Sequence, residues 1–177
     1  EMQYVEVELD PNETAIAEPG AFMMMDDGIQ LETIMGDGSQ QHTGILGKLL
    51  GAGKRLLVGE SLFMTTFSNI SSTKKFVSFA SPYSGKIIML DLLRLGGKII
   101  CQKDAFLCAA KGVSIGIEFQ KKLGVGLFGG EGFIMEKLEG DGLAFMHASG
   151  YVQERDLQPG ELIKIDTGCI VGFTSTI

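Results

Sequence analysis

Residues 55–67 read RLLVGESLFMTTF and residues 126–138 read GLFGGEGFIMEKL. In both, a Gly-Glu step is followed by a small residue and three large apolar residues, and the two copies stand 71 positions apart. Such an echo asks for an internal repeat before any other reading of the chain. At an offset of 84, AFMMMDDGIQLE (21–32) lies over AFLCAAKGVSIG (105–116), matching Ala21 with Ala105, Phe22 with Phe106 and Gly28 with Gly112. At an offset of 148, DPNETAIAEPGAF (10–22) lies over QPGELIKIDTGCI (158–170), matching Pro11 with Pro159, Glu13 with Glu161 and Gly20 with Gly168. The two offsets of the first pair of copies differ by 13 residues, which the loop GDGSQQHTGILGKLLGAG (36–53) accommodates. The pattern predicts one domain over 1–177 made of three copies, about 1–84, 85–148 and 149–177. The third ends before its own Gly-Glu motif, as expected of a truncated chain.

Within each copy the hydrophobic period is two. In VEVEL (5–9), Val5, Val7 and Leu9 face one way while Glu6 and Glu8 face the other. IQLET, KIICQ, VSIGIEF, FIMEKL and LIKID behave alike, and Gly, Asp, Asn or Pro bounds each run. Short half-buried strands with frequent turns predict an all-β sandwich or barrel. A copy of this length exceeds one solenoid coil, so each is expected to be a multi-stranded module with pseudo-threefold relation to the others.

The chain has 177 residues, enough to bury a real core. A net charge of −7 argues against broad nucleic-acid binding, which needs a basic face to neutralise phosphates. No run approaches the roughly 18 apolar residues of a membrane-spanning helix. The opening EMQYVEVELDP is acidic and alternating, unlike a signal or transit peptide. Cys101, Cys108 and Cys169 are odd in number and lack C-x-x-C spacing, which suits a reduced, cytoplasmic setting.

Several motifs invite an enzyme. GVSIG (112–116) fits G-x-S-x-G, and Asp141 and His147 follow in hydrolase order. The elbow needs a helix after the serine, whereas IEFQ reads as strand, and Ser114 falls with Gln30, an outward polar position. GVGLFG (124–129) fits G-x-G-x-x-G but leads into another alternating run, with no helix N-terminus to hold a pyrophosphate. GKLLGAGKR (47–55) is one residue too long for a phosphate loop and places Arg55 where Ser or Thr would bind magnesium. Glu60 and Glu131 occupy equivalent places in different copies, so they are not expected to face each other as an acid–base pair. His42 and His147 do not form a metal-bearing cluster. The cysteines align with small apolar positions, Cys101 with Ala17 and Cys169 with Ala21. No catalytic residue, metal site or cofactor is expected.

Two segments do not read as simple core. GILGKLLGAGKRLLVG (44–59) mixes apolar residues and glycine with Lys48, Lys54 and Arg55, and KKLGVGLFGG (121–130) does so with Lys121 and Lys122. Each immediately precedes or overlaps a Gly-Glu step, Gly59-Glu60 and Gly130-Glu131. Apolar loops usually avoid water. These positions are therefore the candidate interaction residues, packing either within the domain or against a protein partner or an anionic membrane surface.

The pieces EVELDPNETAIAEPGAFMMM, GKLLGAGKRLLVGESLFMTTF, KDAFLCAAKGVSIGIEF, GLFGGEGFIMEKLEGDGLAFMHASG and LQPGELIKIDTGCIVGFTSTI together resemble the altered-inheritance-of-mitochondria family. That family includes a fungal mitochondrial biogenesis protein and bacterial and archaeal relatives. The resemblance covers essentially the whole chain. It implies a double-stranded β-helix similar to the tryptophan RNA-binding attenuation protein, a tendency to self-associate, and no catalytic residues. The reading that follows is a non-enzymatic scaffold or interaction protein, cytoplasmic and homo-oligomeric. The alternatives are a small-ligand-binding β-barrel and a protein held peripherally at a membrane through loops 44–59 and 121–130.

Overall fold

The computed structural model of the chain describes residues 2–35, 63–121 and 133–177. Among these residues thirteen strands run in chain order: β1 (Tyr4–Leu9), β2 (Thr14–Ala17), β3 (Phe22–Met25), β4 (Ile29–Met35), β5 (Phe63–Asn69), β6 (Lys75–Ala80), β7 (Lys86–Asp91), β8 (Lys98–Gln102), β9 (Phe106–Ala110), β10 (Ser114–Lys121), β11 (Phe133–Glu139), β12 (Leu143–Ala148) and β13 (Gly172–Thr174). The helical elements among the described residues are two short 3-10 turns, Lys103–Ala105 and Thr167–Cys169. Every described strand pair is antiparallel. The fold is all-β.

The described strands form three sheets, ordered β1-β6-β3, β10-β11-β8-β13 and β4-β5-β2-β9-β12-β7. The pairing pattern of β1–β6 recurs in β7–β12. As β1 pairs β6, β7 pairs β12; as β2 pairs β5, β8 pairs β11. As β4 pairs β5, β10 pairs β11; as β3 pairs β6, β9 pairs β12. The last of these pairings is irregular at the same place in each set, between Phe22 and Met24 in β3 and beside Leu107 in β9.

The middle of the six-stranded sheet is buried on both faces. Ile16 of β2 packs into one core with Met64, Leu92, Phe106 and Leu138, while Ala15 and Ala17 pack into the other with Phe67, Val77, Phe79 and Cys108. A strand between two cores has no outward face to make polar. That is why TAIA and FLCAA read as near-continuous apolar runs while VEVEL alternates. Phe67 is fully buried, stacked at 5.4 Å on Phe22 and edge-on at 5.1 Å to Phe79.

The one large polar side chain at the centre of the first unit, among the described residues, is satisfied. Asn69 donates through Nδ2 to the carbonyls of Leu9 (2.9 Å) and Thr73 (2.8 Å), and its Oδ1 accepts from the Ser71 N–H (2.9 Å) and hydroxyl (2.8 Å). It thereby ties the end of β1 to the β5–β6 turn. Gly85 is obligatory where β7 begins: a β-carbon there would lie 2.3 Å from the Ala148 carbonyl and 2.5 Å from His147 Nε2.

One run departs from the sequence expectation. LIKID (162–166) alternates as a strand should, yet residues 161–166 pair with no described strand and Leu162 is 84% exposed. Alternation supplies a face to bury, but a strand also needs an edge to pair with.

Candidate functional site

Lys48, Lys54, Arg55, Gly59, Glu60, Lys122, Gly130 and Glu131 lie outside the described residues, and Lys121 enters only as the backbone end of β10, opposite Phe133. The flanks of those segments are visible. β4 and β5 form a hairpin whose last pair is Met35 and Phe63, and β10 and β11 form the corresponding hairpin. Close to these two ends, large apolar side chains face outward: Met35 is 48% exposed, Phe63 50% and Phe119 51%. Met35 and Phe119 hold equivalent places at the offset of 84. Two apolar rims therefore stand at the strand ends that adjoin the basic, glycine-rich segments in sequence.

The hydrolase-like triad does not assemble. Ser114 opens β10 opposite Glu139, and the chain continues as strand, so the strand–turn–helix of a nucleophile elbow is missing. Asp141 sits in the β11–β12 turn, whereas His147 is buried on β12, opposite Ile87, with no hydrogen-bond partner at Nε2 among the described residues. Cys101 and Cys108 are buried in strands, and burial pushes the Cys108 thiol up to about 12 and Cys101 higher still. Thiols so placed stay protonated and inert. Cys169 is exposed on the second 3-10 turn. Among the described residues no three His, Cys, Asp or Glu side chains gather as metal ligands.

A different constellation does assemble, around two carboxyls. Glu136 on β11 is fully buried opposite Cys101, and neither of its oxygens has a hydrogen-bond partner among the described residues. Glu18 directly follows β2, where its N–H donates to the Leu107 carbonyl (3.1 Å), and its Oε2 is likewise buried without a described partner. Burial raises the Glu136 carboxyl to about 8, helped by the charge of Glu18, with Lys103 pulling down and Asp104 pushing up. Burial raises Glu18 to about 7, again opposed by Lys103 and reinforced by Asp104. Burial penalises the charged form of a carboxyl, and a second carboxyl nearby adds to the penalty. Chemically the pair can keep protons to near-neutral pH.

The period-two reading of FIMEKL contains the signal for Glu136. It shares a strand face with Ile134 and Leu138, both buried, so a charged residue stands at a core position. Glu18 carries no comparable mark, since it only precedes the Pro19-Gly20 turn. Phe63 and Phe119 are equally hard to assign from sequence, because exposure at a hairpin end depends on what the following loop covers.

No helix among the described residues is long and apolar enough to cross a membrane. No curated protein matches the chain. Among solved structures, the crystal structure of protein SPYM3_0169 from Streptococcus pyogenes is similar, with a TM-score of 0.57 and 23% identity. The likeness covers 84% of this chain and 61% of that one, and at this identity it speaks for the fold alone. The family model for mitochondrial biogenesis AIM24 matches residues 1–177, from the first residue of the chain to the last. The chain belongs to the mitochondrial biogenesis AIM24 family.

Proposed function

We propose that this chain is a non-enzymatic scaffold that self-associates through the apolar rims at the free ends of the β4–β5 and β10–β11 hairpins. The observation that carries the reading is the outward placement of Phe63 and Phe119 beside two segments rich in Leu, Gly and Lys. Exposed aromatic residues next to apolar loops are the usual raw material of a protein interface, and burying one is worth about 1.5–3 kcal/mol. The recurrent strand pairing supports an internal repeat of the kind seen in the tryptophan RNA-binding attenuation protein, with repeated rims suited to repeated contacts. Three cysteines without a disulfide among them suit a cytoplasmic setting.

The test is sedimentation equilibrium of the wild-type chain and of the double variant Phe63→Glu/Phe119→Glu at roughly 50 µM, where even a weak micromolar association is populated. An oligomer that dissociates in the variant, with the folded signal retained, is the expected result. A wild-type monomer at that concentration sinks the reading. Flotation with anionic vesicles separates the membrane alternative, which predicts binding by the wild-type monomer that is lost when Lys48, Lys54 and Arg55 are replaced by Glu.

A further inference from the structure

The unpaired run 162–166 is held by the turns that elsewhere flank a paired strand. Ahead of β2, the Asp10 N–H donates to Glu13 Oε2 (2.7 Å) and the Glu13 N–H to the Asp10 carbonyl (2.9 Å). Ahead of Leu162, at the offset of 148, the Gln158 N–H donates to Glu161 Oε2 (3.1 Å) and the Glu161 N–H to the Gln158 carbonyl (2.9 Å). The turns share their backbone too, with φ of 69° at Asn12 and 82° at Gly160. After β2, the Ala21 N–H donates to the Glu18 carbonyl (3.1 Å); after Asp166, the Cys169 N–H donates to the Asp166 carbonyl (2.9 Å).

The contacts these strands make are equivalent as well. β2 pairs β9 with Ala17 opposite Cys108, and the Glu18 N–H donates to the Leu107 carbonyl (3.1 Å). β8 pairs β13 with Cys101 opposite Gly172, and the Gln102 N–H donates to the Val171 carbonyl (2.9 Å). Shifted by 84 and 148, both contacts superpose on a single rule, in which the strand after the Asp/Gln-Pro or β7–β8 turn pairs with the strand that follows the next unit's own Glu18-like position. One strand is left over on each side. β3 pairs only β6 among the described strands, and its outer residues Phe22–Met25 are all exposed. Leu162–Asp166 has its turns and no described strand beside it.

We infer that Leu162–Asp166 adds as a strand to the open edge of β3 in the same chain. The two contacts already present fix the register: Ile165 opposite Met24, Lys164 opposite Met25, and the Asp166 N–H donating to the Met23 carbonyl. Met23 stands where the β3–β6 pairing is irregular, as Leu107 does in β9, so each accepting carbonyl sits at the same kink. The pairing covers an edge that is otherwise a template for aggregation. It also gives Ile165, now half exposed, and Met24, 47% exposed, an apolar partner. This inference concerns the chain's own closure and is independent of the hairpin rims: a monomer can satisfy it, and an oligomer can violate it.

The experiment is a register-specific crosslink in the full chain. In a Cys169→Ser background, Met24→Cys is combined with Ile165→Cys and, as the control, with Leu162→Cys. Paired residues lie within disulfide reach, since cross-strand Cα separations of about 4.5–5.5 Å fall inside the usual window. Under mild oxidation the 24–165 pair is expected to form an intrachain disulfide about tenfold more completely than the 24–162 pair, read by non-reducing gel and peptide mass. A disulfide between chains would make a second copy the occupant and overturn the inference, and equal crosslinking of the two pairs would overturn it too. In the wild-type chain, hydrogen exchange at the Asp166 amide checks the same point without substitutions. Protection of about a hundredfold is expected, and exchange at the rate of an open loop contradicts it.

Discussion

Strands β3 and β9 occupy the same place in two units, and both begin after an alanine, Ala21 and Ala105. β9 is buried at Phe106, Leu107, Cys108 and Ala109, while β3 is exposed at all four of Phe22–Met25. Both pair at one edge with an equivalent strand, β12 or β6. The difference is the other edge, where β9 meets β2 and β3 meets no described strand. An apolar run therefore states what a strand would bury, and the neighbouring strand decides whether it does.

Substitutions can break or sharpen that comparison. The largest effect belongs under β2 and β9: Phe67→Ala removes the ring between Phe22 and Phe79 and should cost about 3–5 kcal/mol in a urea titration. The same titration of Met24→Ala should show about 1 kcal/mol or less, a gap that separates a fully buried ring from a half-exposed side chain. A loss for Met24→Ala as large as a core truncation would erase the distinction. Next in size is Gly85→Ala, expected to cost roughly 2–3 kcal/mol because the new methyl collides with the Ala148 carbonyl and His147. Met24→Ala meets no such obstacle.

The buried carboxyls give a smaller effect with a defined sign. Glu18 and Glu136 keep protons in the folded chain up to about 7 and about 8, whereas an unfolded chain releases them near 4.5. Between those limits the folded state binds more protons, so stability is full below pH 4.5 and falls as pH rises through 7 to 8. Thermal melts should show Tm decreasing by several degrees from about pH 5 to about pH 8.5, and Glu136→Gln should flatten most of that slope. A Tm that rises over this range would mean the carboxyls are ionised and paired. The smallest change is expected at the surface, where Lys74 bridges Glu8 and Asp10: Lys74→Ala should leave the urea midpoint indistinguishable from that of the wild type.

Much of the fold is legible in the residues themselves. VEVEL, KIICQ and FIMEKL are strands because their period of two supplies one face for a core, and the Gly, Asn and Pro residues between them end each run. LIKID carries the same period but pairs with no described strand, since periodicity is local and pairing is not. The candidate site is less readable. Glu136 stands in a core-facing register between Ile134 and Leu138, yet only the fold reveals that Glu18, more than a hundred residues earlier, approaches it. The apolar, basic segments mark a region by composition alone, and composition does not say what covers Phe63 or Phe119.

Because Ile16 looks into one core while Ala15 and Ala17 look into the other, the six-stranded sheet is a wall common to two rooms. Neither core can melt while its neighbour keeps shape, since β2 and β9 would lose half their packing and both sets of ladder bonds together. The described regions should therefore unfold as a single cooperative unit, with β2 and β9 amides exchanging only at the global rate. A fragment carrying the first unit alone would keep its turns but expose a face of β2 that the second unit's side chains normally seal, and it would not fold by itself.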